Sequence, residues 1–437
     1  MKKCRVSVIL PSLNVAKYID ECLRSVSDQT LHEIEILCVD AGSTDGTLEI
    51  IKKYQSSDSR VQLIQSERKS YGYQVNLGIE EAIGEYIAIL ETDDYVDTDM
   101  YETLYMLAEQ TNCDYVKGNF RSYYTYQNGK RVFIPSDVLA SSGEEYESII
   151  DIQKCAKLIQ HDTNVWSGIY KKDFLNKYNI RCNESRGAAF QDIGFLQKVF
   201  WYAHSGYYTK RCFYNYCVDR ESSSTNNGNN LRYAYQEYLA LLSDYSNDKD
   251  IQNWDIVYER MSDVFEENIR KTLLQGRESE NSEIIEWFAT VLVNKYNEGF
   301  ISRLYLKEID AGLPEWLDKV QKQICAQEEQ KDYFFKAIGN SQVVIFGAGI
   351  RGKRLLQQIG KYDIKVNAFC DNNSSIWGNN IAGITIYGLD NIFIKYPNAK
   401  YIVANKYHYI EIRQQLLDKG IAEDGIVVFE ESKGWNV

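Results

Sequence analysis

The chain has 437 residues, a formal net charge of −13, and 44% hydrophobic and 25% charged residues. That length allows two or three domains with large cores, and that charge argues against nonspecific binding to nucleic acid or to an anionic membrane. No run approaches the ~20 apolar residues of a membrane span, and the stretch behind Met1-Lys2-Lys3 is too short for a signal-peptide core, so the expectation is a soluble, cytoplasmic protein with at most peripheral membrane contact. The ten cysteines form no C-x-x-C pair, and the four histidines (His32, His161, His204, His408) are not spaced as metal ligands, a pattern of reduced thiols rather than of a disulfide framework or zinc site.

In chain order, residues 6–10 (VSVIL) predict a strand, broken by Pro11-Ser12-Leu13-Asn14. Residues 16–26 carry apolar positions at helical spacing, and 34–39 predict a second strand. Its tip opens the loop Asp40-Ala-Gly-Ser43-Thr-Asp-Gly-Thr47, followed by a helix over 47–54. A short strand at 61–64, a helix at 73–83 closed by Gly84, and a strand at 86–90 complete the alternation. Alternating strands and helices predict a mostly parallel sheet covered on both faces.

The last of these strands ends in Glu91-Thr92-Asp93-Asp94, three carboxylates within four residues. Ligands of open α/β sheets bind at the carboxyl ends of the strands. Clustered carboxylates repel unless a cation neutralises them, and hard oxygen donors suit Mg²⁺ or Mn²⁺, which take substrate phosphates as further ligands. An acidic surface turn is the plainer explanation of such a triplet. In the 40–47 loop, Asp40 is placed to accept hydrogen bonds from a ribose or base, Ser43 offers a hydroxyl, and Asp45 or Thr44 could equally cap a helix.

Three ordered stretches, 6–14, 39–47 and 84–94, resemble the successive signatures of family 2 glycosyltransferases, over roughly the first 220 residues. The resemblance implies the GT-A fold and inverting transfer of a sugar from a nucleoside diphosphate, assisted by Mn²⁺ or Mg²⁺. It places Pro11, Ser12, Asn14, Asp40 and Ser43 at the nucleoside, and Glu91, Thr92 and Asp93 where the family carries D-x-D, with Asp94 following. Asp93, Glu91 and Asp94 are then the expected metal ligands. Three departures stand out: Ala41 replaces a second acid, Glu91 replaces the first Asp of D-x-D, and residues 70–76 replace a small-residue run while retaining Asn76 as a donor-site candidate. Inversion requires a base on the acceptor side. Asp192, in Arg186-Gly-Ala-Ala-Phe-Gln-Asp-Ile-Gly-Phe195, stands where the family often carries an E-D pair, though a helix cap would explain it too. Trp166 is the candidate platform for an acceptor sugar, with a buried core position the competing role. Arg220 is the candidate partner of the diphosphate, leading into a polar stretch, 221–230, suited to a lid.

Residues 226–337 show helical spacing throughout and predict a helical connector or acceptor region with room for homodimer contacts. From 338 a further domain begins: strand 343–346, Gly347-Ala-Gly349-Ile-Arg-Gly352, helix 353–359, strand 364–369 and Asp371. That order is the one found in a dinucleotide-binding βαβ unit, and the domain resembles small Rossmann-like modules appended to bacterial sugar-transferring enzymes. The expected architecture is therefore a GT-A domain (1–225), a helical middle (226–337) and a Rossmann-like domain (338–437) holding a second nucleotide site. The expected activity is sugar transfer from a UDP-sugar to a glycan, lipid-linked or protein acceptor. The alternatives are an NAD(P)-linked oxidoreductase centred on Gly347–Gly352 and a non-catalytic nucleotide-sugar binder.

Overall fold

The computed structural model describes residues 3–140, 142–220, 229–249, 251, 253–405 and 407–428. The chain divides into two compact units, one of residues 1–121 with 136–318, the other of 122–135 with 319–437.

In the first unit the alternation predicted from the sequence is realised: β1 (Val6–Ser12), α1 (Ile19–Ser27), β2 (Ile34–Asp40), α2 (Thr47–Ser57), β3 (Val61–Gln65), α3 (Tyr71–Glu81) and β4 (Tyr86–Ile89). Every residue of β1, β2 and β4 is buried, because helices cover both faces of a parallel sheet and leave no side for polar residues. Ile19, Cys22, Leu23 and Val26 line one buried stripe of α1, the spacing of an amphipathic helix. There follow β5 (Tyr95–Val96), α4 (Met100–Thr111), β6 (Tyr115–Thr125), β7 (Arg131–Pro135), β8 (Ile149–Asp151), α5 (Ala156–His161), β9 (Gly168–Lys171), α6 (Lys172–Lys177), α7 (Gln191–Tyr202) and β10 (Ser205–Cys217).

The strand order is β3-β2-β1-β4-β9-β6-β10-β5, with β7 on β6 and β8 on β10. The first four strands are mutually parallel, and β9 joins β4 antiparallel. The parallel set brings Ser12 opposite Asp40 at its carboxyl edge, next to the end of β4. Helix α3 begins two residues before its predicted start, with the Ser70 hydroxyl accepting the Tyr73 N–H (3.2 Å). It ends at Glu81 rather than Gly84; Gly84 is instead a point of close approach, where a Cβ would lie 2.6 Å from the Ser7 backbone nitrogen. The strands β7 and β8 escaped the sequence pattern because they are short and half-buried.

A fully buried ion pair lies under β6: Lys117 Nζ donates to Asp162 Oδ2 (2.5 Å), and Tyr208 Oη donates to the same carboxylate oxygen (2.7 Å). Removing one partner of such a pair strands the other charge in the core. Asp162→Ala is expected to lower unfolding free energy by roughly 3–5 kcal/mol, read as a shifted urea midpoint of the first unit, whereas a surface pair such as Arg24–Asp20 should move it by less than about 1 kcal/mol when broken.

The helical region continues as α8 (Asn230–Tyr245), α9 (Trp254–Leu274), α10 (Ser282–Asn297), α11 (Tyr305–Ala311) and α12 (Leu313–Ile338). It is not the separate connector expected from the sequence. The buried Arg260 of α9 donates to Ile159 O and to Gln197 Oε1 of α7, so α8 to α11 belong to the first unit.

The second unit is a parallel α/β module. It contains β11 (Val343–Phe346), α13 (Ile350–Gly360), β12 (Val366–Cys370), β13 (Asn380–Ile381), β14 (Ile384–Tyr387), α14 (Leu389–Lys395), β15 (Lys400–Val403), α15 (Tyr409–Asp418) and β16 (Ile426–Val428), with sheet order β13-β14-β12-β11-β15-β16. The hairpin of residues 122–135 forms part of this unit. Tyr124 Oη donates to Lys353 O (2.7 Å), Lys353 Nζ to Phe133 O (2.9 Å) and Asn128 Nδ2 to Ala382 O (2.7 Å).

Candidate active site at the strand tips

The tips of β1, β2 and β4 are tied into one surface by side-chain hydrogen bonds. Asp40 is 2% exposed and its carboxylate is occupied by its own loop: Oδ1 accepts the N–H groups of Gly42 and Ser43, and Oδ2 accepts the hydroxyls of Ser12 and Ser43. The loop is further pinned by Asn14, in the left-handed region at φ 56°, whose Oδ1 accepts Thr44 N–H and whose own N–H reaches Ser43 Oγ. Asp45 accepts the N–H and hydroxyl of Thr47 and the N–H of Ala16; the N-cap of α2 is Gly46, so neither Asp45 nor Thr44 holds the cap position expected of it. Pro11, Ser12, Asn14, Asp40 and Ser43 thus converge as expected. The side chain of Asp40 acts directly as the loop's brace; the groups left for a ligand are those around it. Gln74, which sequence reasoning passed over, donates to both Ser12 O (2.9 Å) and Val39 O (2.6 Å) and locks β1 to β2.

The acidic segment is fixed to the same edge, since Leu90 N–H donates to Ile9 O and the buried Thr92 hydroxyl donates to Pro11 O (3.1 Å). Its three acids take separate partners. Glu91 accepts the Tyr71 hydroxyl (2.6 Å). Asp94, whose side chain is fully buried, accepts Tyr214 Oη (2.8 Å), Cys217 N–H (2.9 Å) and Arg220 Nη2 (2.7 Å). Asp93 is about a third exposed and pairs with Arg220 Nη1. The Arg220 guanidinium therefore spans both aspartates, and it packs over the Tyr18 ring at 5.0 Å. Burial opposes its charge, but Asp93 and Asp94 more than offset that and raise its pKa. Burial, then the Asp93 charge, pushes Glu91 up to about 8. The same two causes raise Asp94, against the pull of Arg220.

This geometry corrects the expected metal triad. Among the described residues, no three His, Cys, Asp or Glu side chains gather around a point that could cage an ion. Glu91 is turned to Tyr71 and Asp94 is closed off by three donors, which leaves Asp93 as the accessible acid. One carboxylate at a strand tip does suit an Mg²⁺ or Mn²⁺ carried in by substrate phosphates, because such ions keep several waters and need only one or two protein ligands.

Asp192 lies in the first turn of α7, preceded by Phe190 at φ 70°. Gln191 holds that turn in place by donating to Ser185 O, Ser185 Oγ and Gly187 O, and Gly187 O accepts Tyr71 N–H (2.9 Å). The α7 terminus is thereby bonded to the start of α3, close enough that the Asp192 charge raises both Tyr71 and Glu91. Burial raises the pKa of Asp192 itself, opposed by the backbone N–H groups of Ile193 and Asp192 and by Arg260. Asp192 is therefore not the N-cap, a position held by Phe190; its carboxylate meets first-turn N–H groups from within the helix.

Three candidates sit elsewhere. Trp166 is 7% exposed, stacked on Tyr214 (4.0 Å) and Tyr216 (5.4 Å) with the edge of Phe120 against it; it is a core ring, not an open sugar platform. Asn76 is a strut: its amide oxygen accepts Cys182 N–H, and its nitrogen donates to Cys182 O and Glu184 Oε1. In the second unit the glycine motif does follow a strand and open a helix. Gly347 adopts φ 109°, and a Cβ on Gly352 would lie 1.9 Å from Gly347 O, which explains both glycines by backbone approach. Asp371, the acidic residue of the possible second nucleotide site, closes the loop by accepting Ala348 N–H (2.8 Å) and Asn373 N–H (2.9 Å). The expected lid over 221–230 falls mostly outside the described residues.

The edge of the parallel sheet thus carries a half-open acid, Asp93, beside the buried Arg220, and the Asp192 helix terminus is tied to the same region through Gly187. Residues 7–177 match the family described as "Glycosyl transferase family 2", and residues 339–427 match "C2185-like, N-terminal". The chain is similar to glycosyltransferase GlyG of Streptococcus pneumoniae (41% identity over 119 residues, 27% of this chain and 40% of the relative). It also resembles the cholesterol galactosyltransferase of Borreliella burgdorferi (30% over 216 residues, 48% and 60%) and the uncharacterized glycosyltransferase YibD of Escherichia coli (31% over 221 residues, 50% and 63%). The chain spans 40% to 63% of the length of these relatives. Among solved structures, S. aureus TarS 1-349 in complex with UDP-GlcNAc aligns at 18% identity and a TM-score of 0.45, over 68% of this chain and 93% of that one. No described helix is long and apolar enough to cross a membrane.

Proposed function

We propose that the first unit transfers a sugar, with inversion, from a UDP-sugar to a saccharide, lipid-linked or protein acceptor. One observation carries the reading: Arg220 and the half-open Asp93 stand at the carboxyl edge of the sheet, and the charge of Asp192 reaches Tyr71 and Glu91 beside them. The 11–14 and 40–43 segments frame the nucleoside, with Asp40 bracing their backbone. A divalent ion would be held by Asp93 together with the donor's phosphates, and when bound it would neutralise charge on the departing diphosphate. Arg220 exchanges its bond to Asp93 for a diphosphate oxygen, to which its planar fork is well matched, and keeps Asp94 as its anchor. Asp192 accepts the proton of the attacking acceptor hydroxyl; its raised pKa makes it a stronger base than an ordinary exposed carboxylate.

The test is titration of the full chain with UDP. Binding is expected to tighten markedly when Mn²⁺ is added, and one of a panel of UDP-sugars should be slowly hydrolysed without an acceptor. Failure of UDP to bind with or without the ion would remove the proposal. Asp371, whose carboxylate oxygens each accept a backbone N–H, of Ala348 and of Asn373, gives no support to the oxidoreductase alternative.

A further inference from the structure

Away from the strand tips, the first unit contains a polar cavity of about 390 Å³ bordered by α3, residues 179–184, α7 and α8. Glu237 of α8 lines it. The residue is 1% exposed, and neither carboxylate oxygen has a well-formed hydrogen bond. Burial pushes this carboxyl up to about 7, while Lys198 and an approach by the Asn183 amide favour its charged form. The fold goes to some length to keep it there. A Cβ on Gly194 of α7 would lie 1.6 Å from Glu237 Oε1, so the glycine two residues after Asp192 is the space the carboxylate occupies. A buried carboxylate whose oxygens lack well-formed hydrogen bonds is costly, and a ligand that supplies donors lowers the cost.

We propose that this cavity binds a neutral saccharide unit of the acceptor, two of whose adjacent hydroxyls donate to Glu237. The proposal rests on the glycosyltransferase reading above. The lining supports this ligand class over others. Glu80, Glu184 and Asp244 accompany Glu237, and four acids repel a nucleotide or phosphate. Lys198 and Arg181 stand among them and disfavour a small cation. Mixed acids, bases and the side chains of Asn179 and Asn183 are what a ring bearing many hydroxyls can satisfy, since each hydroxyl both donates and accepts. Position is in keeping with this: Gly194, against which Glu237 packs, lies two residues after Asp192 on α7. Helix α8 lies beyond the matched residues 7–177.

Saturation-transfer NMR of the full chain with lactose, cellobiose and chitobiose, backed by titration calorimetry, tests it. At least one disaccharide is expected to bind, and Glu237→Gln should weaken it roughly ten- to hundredfold, the value of a hydrogen bond to a charged group, with UDP affinity unchanged. Lys198→Met should weaken it as well and serves if Glu237→Gln does not fold. Absence of binding by all three, equal binding to both variants, or binding of spermidine in their place would overturn the proposal. Disaccharide binding by a chain that fails to bind UDP would remove the donor reading and leave the saccharide site standing.

Discussion

Asp192→Asn is expected to reduce sugar transfer by roughly 10²- to 10⁴-fold, the usual contribution of a general base, while UDP affinity stays within about twofold. The variant keeps the shape of the α7 turn, because the bonds that hold that turn come from Gln191 rather than from Asp192. The pH profile separates a base from a purely structural group. A base works only when deprotonated, and burial raises Asp192 above the ordinary carboxylate range. The acid limb of the wild-type rate should therefore sit above the ordinary carboxylate range, with activity rising as pH increases through that raised pKa, and Asp192→Asn should lose the limb along with the rate. Unchanged turnover, or the same limb in the variant, would return Asp192 to a structural role alone.

The second large effect concerns Asp93. With Mn²⁺ present, Asp93→Asn is expected to weaken UDP binding by about 3 kcal/mol, or roughly 100-fold. Without the ion the order should reverse slightly, because Arg220 loses one of its two carboxylates and becomes freer to meet a diphosphate. Calorimetric titrations with and without Mn²⁺ should thus nearly coincide for the variant and stand apart for the wild type. A full Mn²⁺ enhancement in Asp93→Asn would place the ion elsewhere.

The parallel sheet could be read from the sequence because its strands are buried at every position and its tips carry polar breaks. Residues 6–12, 34–40 and 86–89 announce themselves by short runs rich in apolar residues, interrupted only at Ser7 and Glu35 before their polar tips. The backbone of the site followed, since Asp40, Ser43 and Glu91–Asp94 stand where strand meets loop. Partnership was not legible. Nothing in Glu91 indicates that it turns to Tyr71, and nothing in Asp94 indicates that Tyr214, Cys217 and Arg220 converge on it from more than a hundred residues away. Trp166 failed as a platform for the same reason: the two tyrosines that cover it lie on β10. Gly194 and Glu237 illustrate the limit most clearly, because the space one leaves for the other exists only after α7 and α8 have packed.

The hairpin of residues 122–135 counts with the C-terminal module, so the covalent chain crosses between the two units three times, at 121/122, 135/136 and 318/319. A gene trimmed after residue 318 would not yield a clean N-terminal enzyme. It would leave a peg without its socket, with Tyr124 and Asn128 stripped of the carbonyls of Lys353 and Ala382, and with edge strands open to pairing with neighbouring molecules. The two halves of this polypeptide are best expressed, purified and inherited together.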